Sequence, residues 1–359
     1  MRCSILCPPF PYPTVPATVL AQPLSPVTRI AFVTGGTGFV GSHLVETLLN
    51  RGYDDVRCLI RSAPKWLADL DITPVRGDLS DVPTLWDALD DVTHVYHVAG
   101  ITRAQDWDTL ERINIRGTMN LMGAVKHAAP DVDRVLVTSS LAAVGRGTEG
   151  IATEDVPLQP VSRYGRSKAE MERALHNPHQ MTEAYADALP VTIVRPPAVY
   201  GPRDRDILDF FQAVRNHICP VVGGSGPALS LIHVRDLVRG MVDLAESPAT
   251  VGDTYFLSSP RPYAWADIRD AATDALDTWT ITVPVPNALV GAVGAAAELW
   301  GRISGDYPPL NREKAREIRH ACTMCAHDKA ADHIGFDPEI PLDAGVAETI
   351  DWYQERGRL

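Results

Sequence analysis

The chain has 359 residues, 45% of them hydrophobic and 22% charged, with a formal net charge of −12. That length suits one large domain or a domain with a smaller lobe, and it buries enough core to need no disulfide or metal staple. The acidic balance, without any long basic run, argues against nucleic acid and anionic membrane surfaces as partners, because both need concentrated Lys and Arg. Cys3, Cys7, Cys58, Cys219, Cys322 and Cys325 are scattered rather than framed as in a secreted scaffold, so a reducing cytoplasm is expected.

Residues 1–27 carry Pro8, Pro9, Pro11, Pro13, Pro16, Pro23 and Pro26. Proline at that density permits neither a helix nor a central strand. The segment also lacks the apolar block of a signal peptide. It is expected to be a disordered leader, with a translation start nearer Val27 as the alternative. From Arg29 the pattern changes. Strands are predicted at Arg29–Thr34, Val56–Ile60, Ile72–Arg76, Val92–Val98, Val132–Thr138 and Val191–Val194. Helices are predicted at Gly38–Asn50, Pro83–Leu89, Asp108–Ala128 and from Ser162 to Leu175, before Pro178 interrupts. Short apolar strands alternating with helices predict an α/β fold, a doubly wound parallel sheet covered on both faces.

After Arg195 the regularity fails. Helices are predicted at Ile207–Asn216, Asp236–Ala245, Trp265–Leu276 and Leu342–Arg356, between loops rich in Pro and Gly. The expected organisation is a dinucleotide-binding domain over 28–195 and a smaller, mostly C-terminal α+β substrate-binding lobe over 196–359, some of which returns to the sheet. Ala288–Ala297 is the most apolar stretch, and it is short of the roughly 20 residues a membrane helix needs.

Between the first strand and the first helix lies Thr34-Gly35-Gly36-Thr37-Gly38-Phe39-Val40-Gly41. Glycines allow a tight turn and close approach of a pyrophosphate to the backbone, and the helix N-terminus offers free N–H groups to phosphate. Gly36, Gly38 and Gly41 fit one dinucleotide spacing; Gly35, Gly38 and Gly41 fit another. Gly35, Thr37, Gly38, Phe39 and Val40 are therefore candidate cofactor contacts. Enzymes that use NAD usually carry an acid at the end of the second strand for the ribose 2′-hydroxyl. Here that strand ends in Ile60-Arg61-Ser62, which suits a 2′-phosphate and favours NADP(H) over NAD(H).

Further elements follow in order: Gly77-Asp78-Leu79, His97-Val98-Ala99-Gly100, Asn114-Ile115-Arg116-Gly117-Thr118, Ser139-Ser140 and Tyr164-Gly165-Arg166-Ser167-Lys168. Arg195-Pro196-Pro197 through Tyr200-Gly201-Pro202, and Ile232-His233-Val234-Arg235-Asp236, complete the set. Together they resemble the extended short-chain dehydrogenase/reductase superfamily, in its epimerase/dehydratase branch, over residues 28–359. The pattern is nearest to dihydroflavonol reductases and 3β-hydroxysteroid dehydrogenases.

Tyr164 and Lys168 are i and i+4 on one helix, hence on one face. A phenol with a pKa near ~10 is a poor proton carrier at neutral pH, and a neighbouring ammonium favours its phenolate. Tyr164 can then exchange a proton with a carbonyl or alcohol oxygen while a hydride moves. Ser140 ends a strand in line for the same oxygen, as an oxyanion-type donor. It is preferred to Ser139 by its spacing to Gly145 in the family pattern. The resemblance further implies that Asn114 supports the site, that Asp78 and Leu79 meet the adenine, and that Ala99 and Gly100 line the cofactor cleft. It also implies that Lys168 meets the nicotinamide ribose, that Pro197 to Val199 meet its amide, and that the long helices form a homodimer bundle.

The expected reaction is reduction of a ketone, or oxidation of the alcohol, on a small and fairly apolar molecule. A nucleotide-sugar epimerase or dehydratase and a non-catalytic NADP sensor are the alternatives. Many sugar-nucleotide members carry Arg-Asp-Phe where this chain has Leu229-Ser230-Leu231, so the guanidinium that grips a diphosphate is absent there. Arg203, Arg205 and Arg235 are the available substitutes. Cys322-Thr323-Met324-Cys325, with His320, His327 and His333 nearby, has a spacing found in metal sites. It lacks a second pair, and no metal is expected.

Overall fold

Five short β-branched and apolar segments in the first half form β1 (Ile30–Thr34), β2 (Asp55–Ile60), β3 (Thr73–Arg76), β4 (His94–His97) and β5 (Arg134–Thr138). With β6 (Val191–Val194) and a later two-residue strand, Thr254–Tyr255, they make one seven-stranded sheet. Its order is β3-β2-β1-β4-β5-β6 followed by Thr254–Tyr255, and every pairing is parallel. The computed structural model describes residues 28–146, 150–177, 184–222, 228–285 and 321–359. The proline-rich leader, Pro178, Ala288–Ala297 and His320 lie outside the described residues.

Side chains alternate between the sheet's faces, as the two-residue strand period requires. Ala31, Val33, Val56, Cys58 and Tyr96 face one core, packed by α1 (Phe39–Asn50). Phe32, Leu59, Val95, Val135 and Val137 face the other. That second face is covered by α2 (Val82–Ala88), the long helix beginning at Trp107, α5 (Arg163–His176) and the short α6 (Tyr185–Ala188). The doubly wound arrangement predicted from strand and helix alternation is therefore observed.

One predicted helix differs in kind. Between α3 (Trp107–Leu110) and α4 (Gly117–Ala128) the backbone is π-helical over Glu111–Arg116. Asn114 sits in that wider turn and turns its amide away from the helix, onto both backbone groups of Ile101. A wide turn of this sort frees a polar group for work outside the helix's own ladder.

Beyond Val194 the chain adds β7 (Ala198–Tyr200), α7 (Arg205–Arg215), β8 (Ile218–Val222), β9 (Leu231–His233) and α8 (Val234–Glu246). Leu237, Val238, Met241 and Leu244 of α8 join the α1 core, so this segment packs on the sheet. Phe211 and Val214 of α7, Ile268 and Ala272 of α9 (Trp265–Ala275), and Val346 and Ile350 of the helix Leu342–Glu355 form a separate apolar cluster. The four predicted helices of this half thus form within a residue or two of their expected limits. Cys325 is buried against Leu141, Val144, Ala152 and Phe256, and His333 Nδ1 lies 2.8 Å from the Tyr255 hydroxyl.

Asp236 ties the C-terminal segment to this frame. Its carboxylate, 2% exposed, accepts hydrogen bonds from Glu339 N at 2.9 Å and Ile340 N at 3.0 Å. Asp236→Ala leaves both N–H groups without partners, which costs about 2 kcal/mol. The unfolding free energy from urea titration should fall by that amount, as a lower midpoint with an unchanged slope; an unaltered midpoint would mean the contact contributes nothing.

Candidate active site

The glycine turn lies at the carboxyl ends of β1 and β4, where the strand order reverses and an open α/β sheet has its crevice. Gly35 has a positive φ of 79°, and a Cβ there would stand 2.6 Å from the Ala99 nitrogen. A Cβ at Gly41 would overlap the Gly35 carbonyl oxygen, whereas at Gly36 it would meet only side chains, the nearest at 3.4 Å. Of the two spacings in the sequence, the geometry therefore uses Gly35, Gly38 and Gly41. Gly38 caps α1 without any side-chain acceptor, and no acid stands in the first turn. The helix's free N–H groups and its partial positive charge face the crevice.

That crevice has a volume of about 1040 Å³. It is lined by Gly35, Thr37, Gly38, Phe39 and Val40 of the turn, Arg61 and Ser62 after β2, and Asp78 and Leu79 after β3. Ala99, Gly100, Ser140, Tyr164, Lys168, Pro197 and Val199 complete the set singled out from sequence. Asn114 is the exception: it is 1% exposed and does not line the cleft. Its Nδ2 donates to Ile101 O at 3.0 Å and to Ser167 Oγ at 2.9 Å, and Ser167 Oγ donates to Tyr164 O at 2.7 Å. Asn114 thus contacts the Tyr164 turn and the loop after β4 rather than the cleft itself.

Ser162 starts α5 by accepting from Gly165 N at 3.0 Å. Gly165 has no room for a side chain, since a Cβ would overlap the Ala142 carbonyl. This close approach docks the first turn of α5 on the turn Leu141–Ala143 that follows Ser140. Tyr164 and Lys168 are thereby set beside the end of β5. Ser140 Oγ accepts from Ala142 N at 3.1 Å. Ser139, by contrast, is buried, and its hydroxyl donates to Glu172. The preference for Ser140 thus has a geometric reason, because Ser139's proton is already committed.

Lys168 is 4% exposed, and its Nζ donates to Thr138 O at 2.7 Å. Burial lowers the ammonium's pKa to about 8, with the Glu172 carboxylate opposing the shift. His97, fully buried, has its pKa lowered to about 3, first by burial and then by the Lys168 charge. It is neutral, and its ring nitrogens bridge Thr34 Oγ1 at 2.7 Å and Thr118 Oγ1 at 2.8 Å. That bridge pins β4 to β1 and to α4 directly beneath the crevice. Asp78 is held below the usual carboxylate range by the hydroxyl and backbone N–H of Ser80.

Several site residues escaped the sequence reading. Lys65, Arg112 and Arg116 line the cleft beside Arg61, and Asp204 and Asp206 line it beyond β7. Lys65 has a positive φ of 53°, a backbone feature with no residue signature. Glu172, four residues after Lys168 on the same face, carried a signal in its i+4 spacing. Asp204 caps α7, its Oδ1 accepting from Asp206 N at 2.9 Å, while Tyr353 donates to its carbonyl. Burial raises its carboxyl pKa to about 7, against the backbone hydrogen bonds that lower it.

A family model described as the NAD dependent epimerase/dehydratase family matches residues 31–257. A ceramide reductase of Caulobacter vibrioides is 30% identical over 337 residues, covering 92% of this chain and 96% of the relative. A sterol demethylase protein B of Methylococcus capsulatus is 36% identical over 346 residues, covering 91% and 99%. A ketoreductase of Stigmatella aurantiaca acting on a farnesyl dihydroquinoline oxide is 29% identical, covering 88% and 94%. Among solved structures, gox2253 superposes with a TM-score of 0.75 at 27% identity, covering 92% of this chain and 99% of that one.

The Asp204 carboxyl gives a pH signature. Its folded pKa of about 7 lies above the unfolded value near ~3.9. Between those values the native state holds a proton that the unfolded state has lost, so this group's contribution to stability falls as pH rises from about 4 to 7. Asparagine caps a helix as well as aspartate does. Asp204→Asn should therefore equal the parent near pH 4 and exceed it in urea stability at pH 8. Parallel pH profiles for the two proteins would refute the assignment.

Proposed function

This chain belongs to the NAD dependent epimerase/dehydratase family and is an NAD(P)-dependent oxidoreductase, and we propose that it reduces the ketone of an apolar substrate with NADPH, using Ser140, Tyr164 and Lys168. The observation that carries the reading is the character of the cleft beyond the catalytic residues. Ile207, Phe210, Leu229, Leu231, Trp265 and Val346 line it there, and the charged side chains among the described residues at that end are the acids Asp204 and Asp206.

Among the described residues a diphosphate has no partner in such a lining. Arg203 is held by Glu46 at 2.6 Å and Ser42 at 2.9 Å, Arg235 by Glu348 at 2.6 Å, and neither lines the cleft; nor does Arg205. Asp206 there is already paired with Arg103 at 2.8 Å, and the Asp204 carboxyl offers an anion no partner. An apolar molecule with a carbonyl gains by burying its surface against these side chains, at roughly 25 cal/mol per Å². The relatives named as a ceramide reductase and a ketoreductase of a farnesylated ring support the same class.

The residues around the glycine turn fit a pyridine dinucleotide, since side chains at Gly35 or Gly41 would clash and α1 presents free N–H groups. When bound, the nicotinamide supplies or accepts the hydride. Arg61, Ser62 and Lys65 line the cleft where the 2′-phosphate would lie, and no hydrogen bond engages the Arg61 guanidinium among the described residues. Ser140 Oγ orients the substrate oxygen, and Tyr164 gives it a proton during reduction or removes one during oxidation. Lys168, charged at neutral pH, favours the tyrosinate that remains and holds the ribose. Asn114 and Ser167 keep the Tyr164 turn in register. The working unit is a homodimer built on the long helix from Trp107 and on α5, by family reading.

Tyr164→Phe should lower ketone reduction at least about 100-fold while leaving NADPH affinity intact; retained turnover would overturn the mechanism. Arg61→Asp should weaken NADPH about 10- to 100-fold, with little effect on NADH, as expected for loss of a charge-assisted bond. Equal losses for both nucleotides would reverse the NADP assignment. In a substrate panel, NADPH oxidation with apolar ketones is expected. Interconversion of a UDP- or GDP-sugar without net cofactor use would replace this reading.

A further inference from the structure

Glu172 is buried to 3% exposure between three elements that carry the site, and no step of the proton transfer uses it. From α5 it accepts the Ser139 hydroxyl at the end of β5. It also receives the Arg195 guanidinium, through Nε at 3.0 and 3.2 Å and a terminal nitrogen at 2.6 Å. Arg195 opens the Pro196–Pro197 wall of the cleft, and Leu141 N donates to Pro196 O at 2.9 Å. A buried ion pair this well satisfied is stiff, because every departure leaves a charge unpaired in low dielectric.

Resting on the reductase reading above, we propose that Glu172 is a positioning residue for the reaction: it clamps the Ser139–Ser140 strand end and the Arg195–Pro197 wall to the helix that carries Tyr164 and Lys168, and it supplies the negative charge that keeps the Lys168 ammonium in place. The groups facing Lys168 define this role. Tyr164 and Glu172 face it from its own helix, the neutral His97 from β4, the Thr138 carbonyl from β5, and Arg195 from the end of β6 through the carboxylate of Glu172. Of these, Glu172 is the one anion acting on the ammonium, and it offsets part of the burial that drives the lysine toward its neutral form.

The structural and positioning roles separate in a double replacement. Breaking the pair with Glu172→Gln alone leaves a buried guanidinium and endangers folding, whereas replacing both members by apolar side chains of similar volume is often neutral for stability. The variant E172M/R195M should therefore fold, as judged by circular dichroism and melting. The readout is the titration of the Lys168 ε-carbon by NMR in cofactor-free, 13C-lysine-labelled protein, with Lys168→Met assigning the signal. The Lys168 midpoint should fall by about one pH unit relative to the parent. A folded double variant whose lysine titrates as in the parent overturns the proposal.

A second variant keeps the test open if the double replacement does not fold. Ser139→Ala leaves the ion pair and releases the strand end. It should lower kcat about tenfold with unchanged NADPH affinity in a protein that remains folded. Parental kcat would equally overturn the clamp. Both outcomes are distinguishable from failure of the reductase reading, which would show as no NADPH oxidation by the parent protein with any apolar ketone.

Discussion

Where β1 and β4 leave the sheet, the turn at Gly35 passes 2.6 Å from the Ala99 nitrogen, measured from the Cβ that glycine lacks. The rest of the site depends on this closeness. It seats the N-terminus of α1 over the crevice, and the His97 bridge between Thr34 and Thr118 locks the two strands and α4 beneath it. A side chain at Gly35 would push the turn away from β4 and carry the free N–H groups of α1 with it. The residues proposed as catalytic obey a similar constraint, because Gly165 lets α5 touch the turn after Ser140. Two contacts of backbone on backbone, both possible only at glycine, thus set the glycine turn and the first turn of α5 against one another across the cleft.

On this frame the described residues place cations in the cofactor half of the cleft and mostly apolar side chains, with Asp204 and Asp206, beyond it. Arg61, Lys65, Arg112 and Arg116 gather at one end, while apolar side chains of α7, α9 and the helix Leu342–Glu355 close the other. The charge distribution separates two substrate classes that this fold can host. A nucleotide sugar asks for cations beyond the catalytic tyrosine, and the candidates Arg203 and Arg235 are instead spent on Glu46 and Glu348. A neutral, apolar carbonyl compound asks for none.

The sheet was legible in the sequence because β-strand alternation and glycine punctuation are local signals, and they placed all six of its first strands within about three residues. The cofactor turn, Ser140, Tyr164 and Lys168 were legible because their spacing matches a known pattern. Asn114 was also named, but its π-helical turn was not, since that geometry arises from the tertiary pull of Ile101 and Ser167 on its amide. Lys65 and Asp204 reach the cleft through backbone conformations that residue type does not announce. Glu172 and Arg195 are 23 positions apart, and only the parallel pairing of β5 with β6 brings them together over Ser139.

The central claim is that a hydride is delivered to a carbonyl carbon next to the Tyr164 phenol and stays there. Reduction of an apolar ketone with NADPH bearing deuterium at nicotinamide C4, followed by mass spectrometry of the product, tests it directly. The account predicts one deuterium on the new carbinol carbon for one of the two C4-deuterated epimers, and none for the other. Product formed with no label from either epimer would contradict it.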